Sequence, residues 1–308
     1  MNHFGKGSIR LAGLVFLSAV WALAQTNVGQ PGAVNYVEGS VSVNGRALNS
    51  RSVGSAQVQP GQTIATAQGR AEILLTPGVF VRIGDHSSLE MVAASLTDTE
   101  VQLDGGHALI EVDQIEKENH LAIHDNGFTT TIEKRGIYAF DTAPAAVSVY
   151  DGKAVAQVGD RQIEAFKGQR VALAAGTRKT QKFDRKQTDE LYAWSKLRSE
   201  YMAEASAASA QNIIVNSPGW WYGTGWYWNP WFDSWAFVPG GGYLWGPFGY
   251  GFFSPGYAYY APYYRGYWGA GYGYRGFHGP VGRVGGFRAS AGPAFHGGFA
   301  GGFHGGRR

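Results

Sequence analysis

Apolar residues recur at every second position in short runs between Val34 and Thr177, and this period most constrains what the chain can fold into. A period of two sends successive side chains to opposite faces of a β-strand, so each run predicts a strand with one apolar face. Dipeptides that favour tight turns separate the runs. They are Asn44-Gly45, Pro60-Gly61, Pro77-Gly78, Gly105-Gly106, Asn126-Gly127, Asp151-Gly152 and Lys167-Gly168. Residues 34–177 are therefore predicted to form a single all-β domain, either an antiparallel sandwich or a short β-solenoid-like fold.

The period changes to that of a helix over residues 184–211. Residues three or four apart form one apolar stripe along this segment, which predicts an amphipathic helix. The stripe consists of Leu191, Trp194, Leu197, Tyr201, Ala205 and Ala208. Asp184 with Gln187 is a candidate cap for the helix N-terminus. We expect the stripe to pack on the β domain, and a seam between two copies of the chain is the alternative.

The composition changes abruptly after Ser217. The segment 218–275 is rich in Trp, Tyr, Gly and Pro and holds eight of the ten Trp residues of the chain. The formal charge changes from −4 over residues 25–217 to +5 over residues 218–308. The last part, 276–308, is a low-complexity tail of Gly, Phe, His and Arg, for which we predict disorder.

The N-terminus has the features of a signal peptide for export. Lys6 and Arg10 precede fourteen uncharged, mostly apolar residues that end in Ala22-Leu23-Ala24. Such a run is short of the roughly 20 residues that a membrane-spanning helix needs, and its small residues suit signal peptidase. We predict a cleaved signal peptide, 1–24, a linker, 25–33, and a mature protein without a transmembrane span. The expected location is the periplasm, the cell surface or the medium.

Several segments of the β region share a pattern of turn glycines and apolar core positions. They are Pro60-Gly61-Gln62-Thr63-Ile64-Ala65-Thr66, residues 69–83, Ser87-Ser88-Leu89-Glu90-Met91, residues 101–112, residues 147–155 and Lys167-Gly168-Gln169-Arg170-Val171. In these segments the chain resembles the FecR domain, a periplasmic module of bacterial signalling regulators. The resemblance covers roughly half of the chain.

This resemblance implies an extracytoplasmic β module that interacts with proteins. The chain departs from the family at Gly136-Ile137-Tyr138-Ala139-Phe140, where Gly-Thr before an aromatic residue is usual. The family's regulators also carry an anti-sigma segment and a membrane span ahead of the domain, whereas here a signal peptide precedes it. The resemblance therefore does not carry transmembrane signalling over to this chain.

No motif of a known catalytic or cofactor site occurs in the sequence. There is no P-loop, G-x-S-x-G elbow or H-E-x-x-H, and Cys is absent altogether. His120 and His124 lie on one face of a predicted strand about 13 Å apart, which is too far for one metal ion. We read Asp113, Glu116 and Glu118 as a solvated loop. The expectation is a protein that is not an enzyme and has no cofactor, no metal and no nucleic-acid partner.

The aromatic segment supplies the candidate binding residues. Trp faces stack on sugar rings, so this segment is predicted to adhere to cell-wall polysaccharide, or instead to self-associate as a disordered chain. The candidate adhesive residues are Trp220, Trp221, Trp226, Trp228, Trp231, Trp235, Trp245 and Trp268. We expect a non-catalytic envelope scaffold that binds a protein or a glycan. The alternative is a signalling module that works with a separate membrane regulator or receptor.

Overall fold

A computed structural model describes residues 29–216 and 223–258, and it shows a mostly β protein with one long helix. The strands of the main sheet are β1 Val34–Val43, β2 Arg46–Leu48, β3 Thr63–Leu74, β4 Val79–Ile83, β5 Ser88–Ala94, β6 Asp98–Gly105, β7 His107–Val112, β8 His120–Asp125, β9 Phe128–Ile132, β10 Gly136–Thr142, β11 Ala145–Asp151, β12 Lys153–Val158, β13 Arg161–Phe166, β14 Gln169–Ala172 and β15 Gln181–Lys182. A short 3-10 helix, η1 Ser50–Ser52, follows β2. The predicted all-β domain is confirmed. The predicted signal peptide, 1–24, and the tail, 276–308, lie outside the described residues.

The main sheet is continuous and bends around one apolar core. Its strand order is β13-β12-β9-β8-β6-β5-β3-β4-β7-β10-β11-β14-β15, with β1 paired to β3 and β2 to β1. Although β13 and β14 are far apart in this order, they are in contact, and Ile163 and Val171 join the same core cluster. The pairing is antiparallel except between β6 and β8, which run parallel. The sheet is thus mixed, with this one parallel pair among antiparallel pairs.

The predicted turns have the expected backbone. All seven second-position glycines of the turn dipeptides adopt positive φ. In two of these dipeptides both residues have positive φ. The values are 47° and 78° for Asn44-Gly45 and 49° and 78° for Asn126-Gly127. Two consecutive positive φ values are typical of the tight turn whose twist matches an antiparallel hairpin. These turns join β1 to β2 and β8 to β9.

The helix α1 runs over Glu190–Asn216, so it begins and ends later than the predicted 184–211. Its N-cap is Asp189, whose carboxylate accepts a 2.7 Å hydrogen bond from the backbone N–H of Tyr192. Asp184 instead accepts from the backbone N–H of Lys186 in the preceding turn.

The buried face of α1 also differs from the predicted stripe. Leu197 is 65% exposed and Tyr201 is 37% exposed, whereas Arg198, Ser199 and Met202 face inward. The reason is that polar groups of the sheet lie beneath the helix and require polar partners. The expectation that α1 packs on the β domain is confirmed, but the buried face keeps only part of the predicted stripe, including Leu191 and Ala205.

Part of the aromatic segment is folded. It forms two hairpins, β16 Gly225–Asn229 with β17 Ser234–Val238 and β18 Tyr243–Trp245 with β19 Gly251–Phe253, and the short helix α2 Pro255–Ala258. Trp226, Phe237 and Phe252 pack with Phe80 of the sheet and Met202 of α1 in one cluster. Disorder is therefore wrong for residues 223–258, because the sheet and the helix supply apolar partners that the segment lacks by itself.

No described helix combines the length and the apolar character that crossing a bilayer demands. The helix α1 is 27 residues long, but charged residues interrupt it throughout its first half. This finding concerns residues 29–216 and 223–258.

Asp125, at the end of β8, is a buried carboxyl whose two oxygens have no hydrogen-bond partner among the described residues. Burial and, to a smaller extent, the charge of Asp141 raise the pKa of Asp125 from 3.8 to about 7. Between pH 3.8 and about pH 7, Asp125 is protonated in the folded protein but ionised in the unfolded chain. The contribution of Asp125 to stability therefore falls as the pH rises from about 4 to about 7, and levels off above.

We expect Asp125→Asn to remove this pH dependence. Urea unfolding at pH 5 and pH 8 should show that the stability advantage of the variant over the parent is roughly 2–3 kcal/mol larger at pH 8 than at pH 5, since one pKa unit corresponds to about 1.4 kcal/mol. Asp160→Asn, at an exposed turn, is the control and should follow the parent at both pH values. Parallel curves for the parent and Asp125→Asn would contradict an elevated pKa.

Candidate functional site

A network of buried charges lies between the sheet and α1. Arg82 of β4 donates 2.7 Å hydrogen bonds to Glu72 of β3 and to Glu111 of β7, and all three side chains are fully buried. From the helix, Arg198 donates to Glu72 at 3.1 Å and Ser199 donates to Glu111 at 2.6 Å. The helix is therefore held on the sheet by charge-assisted hydrogen bonds as well as by apolar packing.

Asn35 connects this network to the aromatic segment. Its side-chain amide donates to Glu72 at 2.8 Å and to the carbonyl of Trp235 at 3.1 Å, and its oxygen accepts from the backbone N–H of Trp235 at 2.7 Å. Burial raises the pKa of Glu72, but the charges of Arg198 and Arg82 outweigh this and leave the pKa below its ordinary value. Glu72 therefore stays ionised at neutral pH.

Asp113, which we expected in a solvated loop, is only 2% exposed. It lies under the second aromatic hairpin, where a Cβ added to Gly246 would come within 2.6 Å of its Oδ1. Burial and the charge of nearby Glu111 raise the pKa of Asp113 well above its ordinary value. Burial also raises the pKa of Glu111, and in this neighbouring pair a negative charge on one carboxyl group disfavours a charge on the other.

An open groove of about 670 Å³ lies on the outer side of this network. It is formed by β1, η1, α1, the end of β16 and the loop after it, and five of its thirteen lining residues are aromatic. The lining residues are Asn35, Tyr36, Val37, Ser50, Arg51, Val53, Trp194, Leu197, Arg198, Tyr201, Trp228, Phe232 and Asp233. The volume is that of a typical small-molecule or glycan site.

Arg198 orders the aromatic side chains of the groove. Its guanidinium carbon lies 4.9 Å from the ring centroid of Tyr36 and 5.0 Å from that of Tyr201. The ring of Tyr36 in turn lies 5.5 Å from that of Trp194. Because Arg198 is also bound to Glu72, the charged network beneath the groove holds its wall rigidly.

On the side of the groove formed by Trp228, the ring of this residue packs closely against Gly54. Gly54 has a φ of 84°, and a Cβ there would come within 2.6 Å of the ring of Trp228. Tyr201 donates a 3.0 Å hydrogen bond to the carbonyl of Phe232, which joins α1 to the loop after β16. Burial raises the pKa of Tyr36 and of Tyr201, so both hydroxyl groups remain protonated hydrogen-bond donors at neutral pH.

The lining of the groove holds few ionisable groups. Among the described residues that line it, Asp233 is the single carboxylate and none is His, so the lining holds no carboxylate pair and no carboxylate–imidazole pair for general acid–base work. Its aromatic faces suit sugar rings or other flat, weakly polar surfaces, and Ser50, Arg51 and Asp233 offer hydrogen bonds at the rim.

The predicted adhesive Trp residues separate into different environments. Trp226 and Trp235 are buried in the cluster with Phe80, so their faces are not open to a ligand, because the hairpin turns them toward the sheet. Trp228 lines the groove, while Trp231 and Trp245 are 69% and 49% exposed outside its lining. Three others lie outside the described residues. These are Trp220, Trp221 and Trp268.

Comparisons with known proteins give only distant similarities. Two crystal structures of a putative anti-sigma factor from Parabacteroides distasonis resemble the chain in fold, at 12% and 11% identity and TM-scores of 0.37 and 0.36. The first similarity covers 44% of this chain and 64% of the other, and the second covers 57% and 98%. No protein-family profile matches the chain. No curated protein matches it either.

Trp228 excepted, sequence patterns did not single out the residues that line the groove. Tyr36, Trp194 and Phe232 are far apart in the chain and meet only because α1 crosses over β1. One feature of the sequence that could have indicated the buried network is Arg198. Its spacing places it on the same helical face as Leu191, Met202 and Ala205, which are buried. An arginine at such a spacing indicates a buried carboxylate on the opposing element.

Proposed function

We propose that this chain is an exported, non-catalytic binding protein of the bacterial envelope that holds a glycan, such as cell-wall polysaccharide, in the aromatic groove. The observation that carries the proposal is the groove itself, where three elements bring Tyr36, Trp194, Tyr201 and Trp228 around an open channel. Aromatic faces combined with polar groups at the rim match the alternating apolar and hydroxyl surfaces of a sugar ring.

The buried network supports this proposal because it makes the groove rigid. Arg198 is fixed by Glu72 and by the carbonyl of Asn35, and it stacks on two tyrosine rings of the wall. A wall that is already ordered loses little conformational entropy when a ligand binds. A rigid groove therefore favours selective recognition over unspecific adhesion.

Export and the FecR resemblance agree with this role. A signal peptide over residues 1–24 would deliver the chain to the compartment that contains wall polysaccharide. The FecR-like pattern implies a module for interactions outside the cytoplasm. Adhesion or self-association through Trp220, Trp221, Trp268 and the tail, 276–308, stays a separate prediction.

The test is titration calorimetry of residues 25–308 with soluble cell-wall polysaccharide fragments. Trp194→Ala should weaken binding about tenfold, since a stacked aromatic side chain contributes about 0.5–1.5 kcal/mol beyond its buried area. Trp245→Ala is the matched control, because it removes a half-exposed Trp outside the groove and should leave affinity unchanged. Equal losses in both variants, or none in Trp194→Ala, would refute glycan binding in the groove.

The second candidate function is a signalling module that captures an envelope protein, which the FecR-like pattern favours. In a pull-down from an envelope extract, this function predicts that one protein is retained by residues 25–308 and equally by Trp194→Ala. Retention of polysaccharide that depends on Trp194 favours the first function instead.

A further inference from the structure

We propose that Asp98, Glu100 and His120 form a binding site for Zn²⁺ or a divalent transition metal with similar ligand preference. Asp98 and Glu100 lie on β6, and His120 lies on β8, which runs parallel to β6 with Asp98 directly opposite His120. All three side chains project from the same face of the sheet, and their candidate ligand atoms lie within 4.8 Å of one another.

The spacing of these atoms suits tetrahedral coordination. The Nδ1 atom of His120 lies 2.8 Å from Oδ1 of Asp98 and 3.6 Å from Oε1 of Glu100. Bonds of about 2.0–2.2 Å from zinc to nitrogen and oxygen require ligand atoms about 3.3 Å apart. For the two pairs that involve His120, shifts of a few tenths of an ångström would therefore reach this spacing, while the carboxylate oxygens of Asp98 and Glu100 lie within 4.8 Å of each other.

His124 positions the central carboxylate. Its Nε2 lies 2.8 Å from Oε2 of Glu100, and its Nδ1 lies 3.0 Å from Oγ1 of Thr129 on β9. This leaves the other oxygen of Glu100 directed toward His120. Partners of this kind, which orient a ligand without touching the metal, typically change metal affinity by 10–100-fold.

The surroundings leave room and negative charge for a cation. The residues opposite Glu100 on the neighbouring strands are Ala93 and Ala122, whose side chains are small. Within residues 29–216 and 223–258, no Lys or Arg forms an ion pair with Asp98 or Glu100. Because His120 is 48% exposed and Asp98 is 54% exposed, a hydrated ion can reach the site and keep a water molecule as the fourth ligand.

The donor set selects the class of metal. One imidazole and two carboxylates suit zinc and its neighbours, whereas calcium needs six to eight oxygen ligands. A bound ion would link β6 to β8, which are paired in parallel although all of β7 separates them in sequence. The expected role is to stabilise this pairing.

The experiment is calorimetric titration of Zn²⁺ into residues 25–308 in which His278, His296 and His304 of the tail are replaced by Ala, since these residues can also bind metal. We expect one ion per chain and a melting temperature that rises with Zn²⁺. His120→Ala and Glu100→Gln in this background should each weaken binding at least about tenfold, while exposed Glu116→Gln should not.

Two results would overturn the site: no Zn²⁺ binding once the tail histidines are replaced, or unchanged binding in both His120→Ala and Glu100→Gln. Circular dichroism of each variant checks that these surface substitutions leave the fold intact. The glycan titration does not depend on any of these residues, so the metal site and the groove can fail separately.

Discussion

Replacing Arg82 with Met is expected to lower the free energy of unfolding by about 3–5 kcal/mol. Arg82 is fully buried, and its guanidinium is the shared partner of Glu72 and Glu111. Without it, the carboxyl groups of Glu72 and Glu111 stay in the interior and keep Arg198, Asn35 and Ser199 as hydrogen-bond donors, with Asp113 beside Glu111. Urea unfolding of parent and variant at pH 8 measures the loss through the change in midpoint at constant slope.

The loss should depend on pH. In Arg82→Met the unpaired carboxylates would have elevated pKa values and would take up protons in the folded state as the pH falls. The loss in the free energy of unfolding should therefore be smaller at pH 5 than at pH 8. Arg70→Met is the control, because Arg70 is partly exposed and its contacts with Glu38 and Glu190 are 3.7 and 4.0 Å long. Surface pairs of this kind contribute about 0–1 kcal/mol. A similarly small loss for Arg82→Met would mean that water reaches the network.

Trp226→Ala should also destabilise the protein by about 3–5 kcal/mol. The ring of Trp226 is fully buried, with its centroid 4.9 Å from that of Phe80 and 5.6 Å from that of Phe237. Its indole N–H donates a 3.3 Å hydrogen bond to the carbonyl of Leu75. Truncation would thus leave a large cavity between the first aromatic hairpin and the sheet, and an unsatisfied carbonyl group.

The comparison of Trp226→Ala with Trp245→Ala tests whether the aromatic segment is part of the folded protein. Trp245 is half-exposed at the second hairpin, and its removal should change stability by about 0.5 kcal/mol or less. Thermal and urea unfolding of both variants provide the measurement. If the two substitutions had the same small effect, residues 223–258 would not be packed on the sheet in solution.

The aromatic segment shows why composition could not decide between a folded and a disordered chain. Abundant Gly and few aliphatic residues indicate a chain that cannot order itself, and this argument is sound for an isolated segment. Here, however, Leu74 and Phe80 of the sheet and Met202 of α1 provide the apolar surface that the segment lacks. Apolar alternation in the sequence did not reveal this surface, because a period of two identifies one buried face, whereas β4 and the last four residues of β3 are buried on both faces.

The sequence by itself determined the all-β class, the turns between strands and the presence of a helix after the sheet. These features depend on neighbours along the chain: side-chain alternation in a strand, positive φ at Gly45 and Gly127, and periodicity in α1. Only the tertiary structure decided which face of α1 is buried and where the candidate sites lie. Asn35 meets Trp235 across 200 residues, and Asp98 meets His120 through the pairing of β6 with β8. Such contacts depend on strand order and helix placement, which local patterns do not encode.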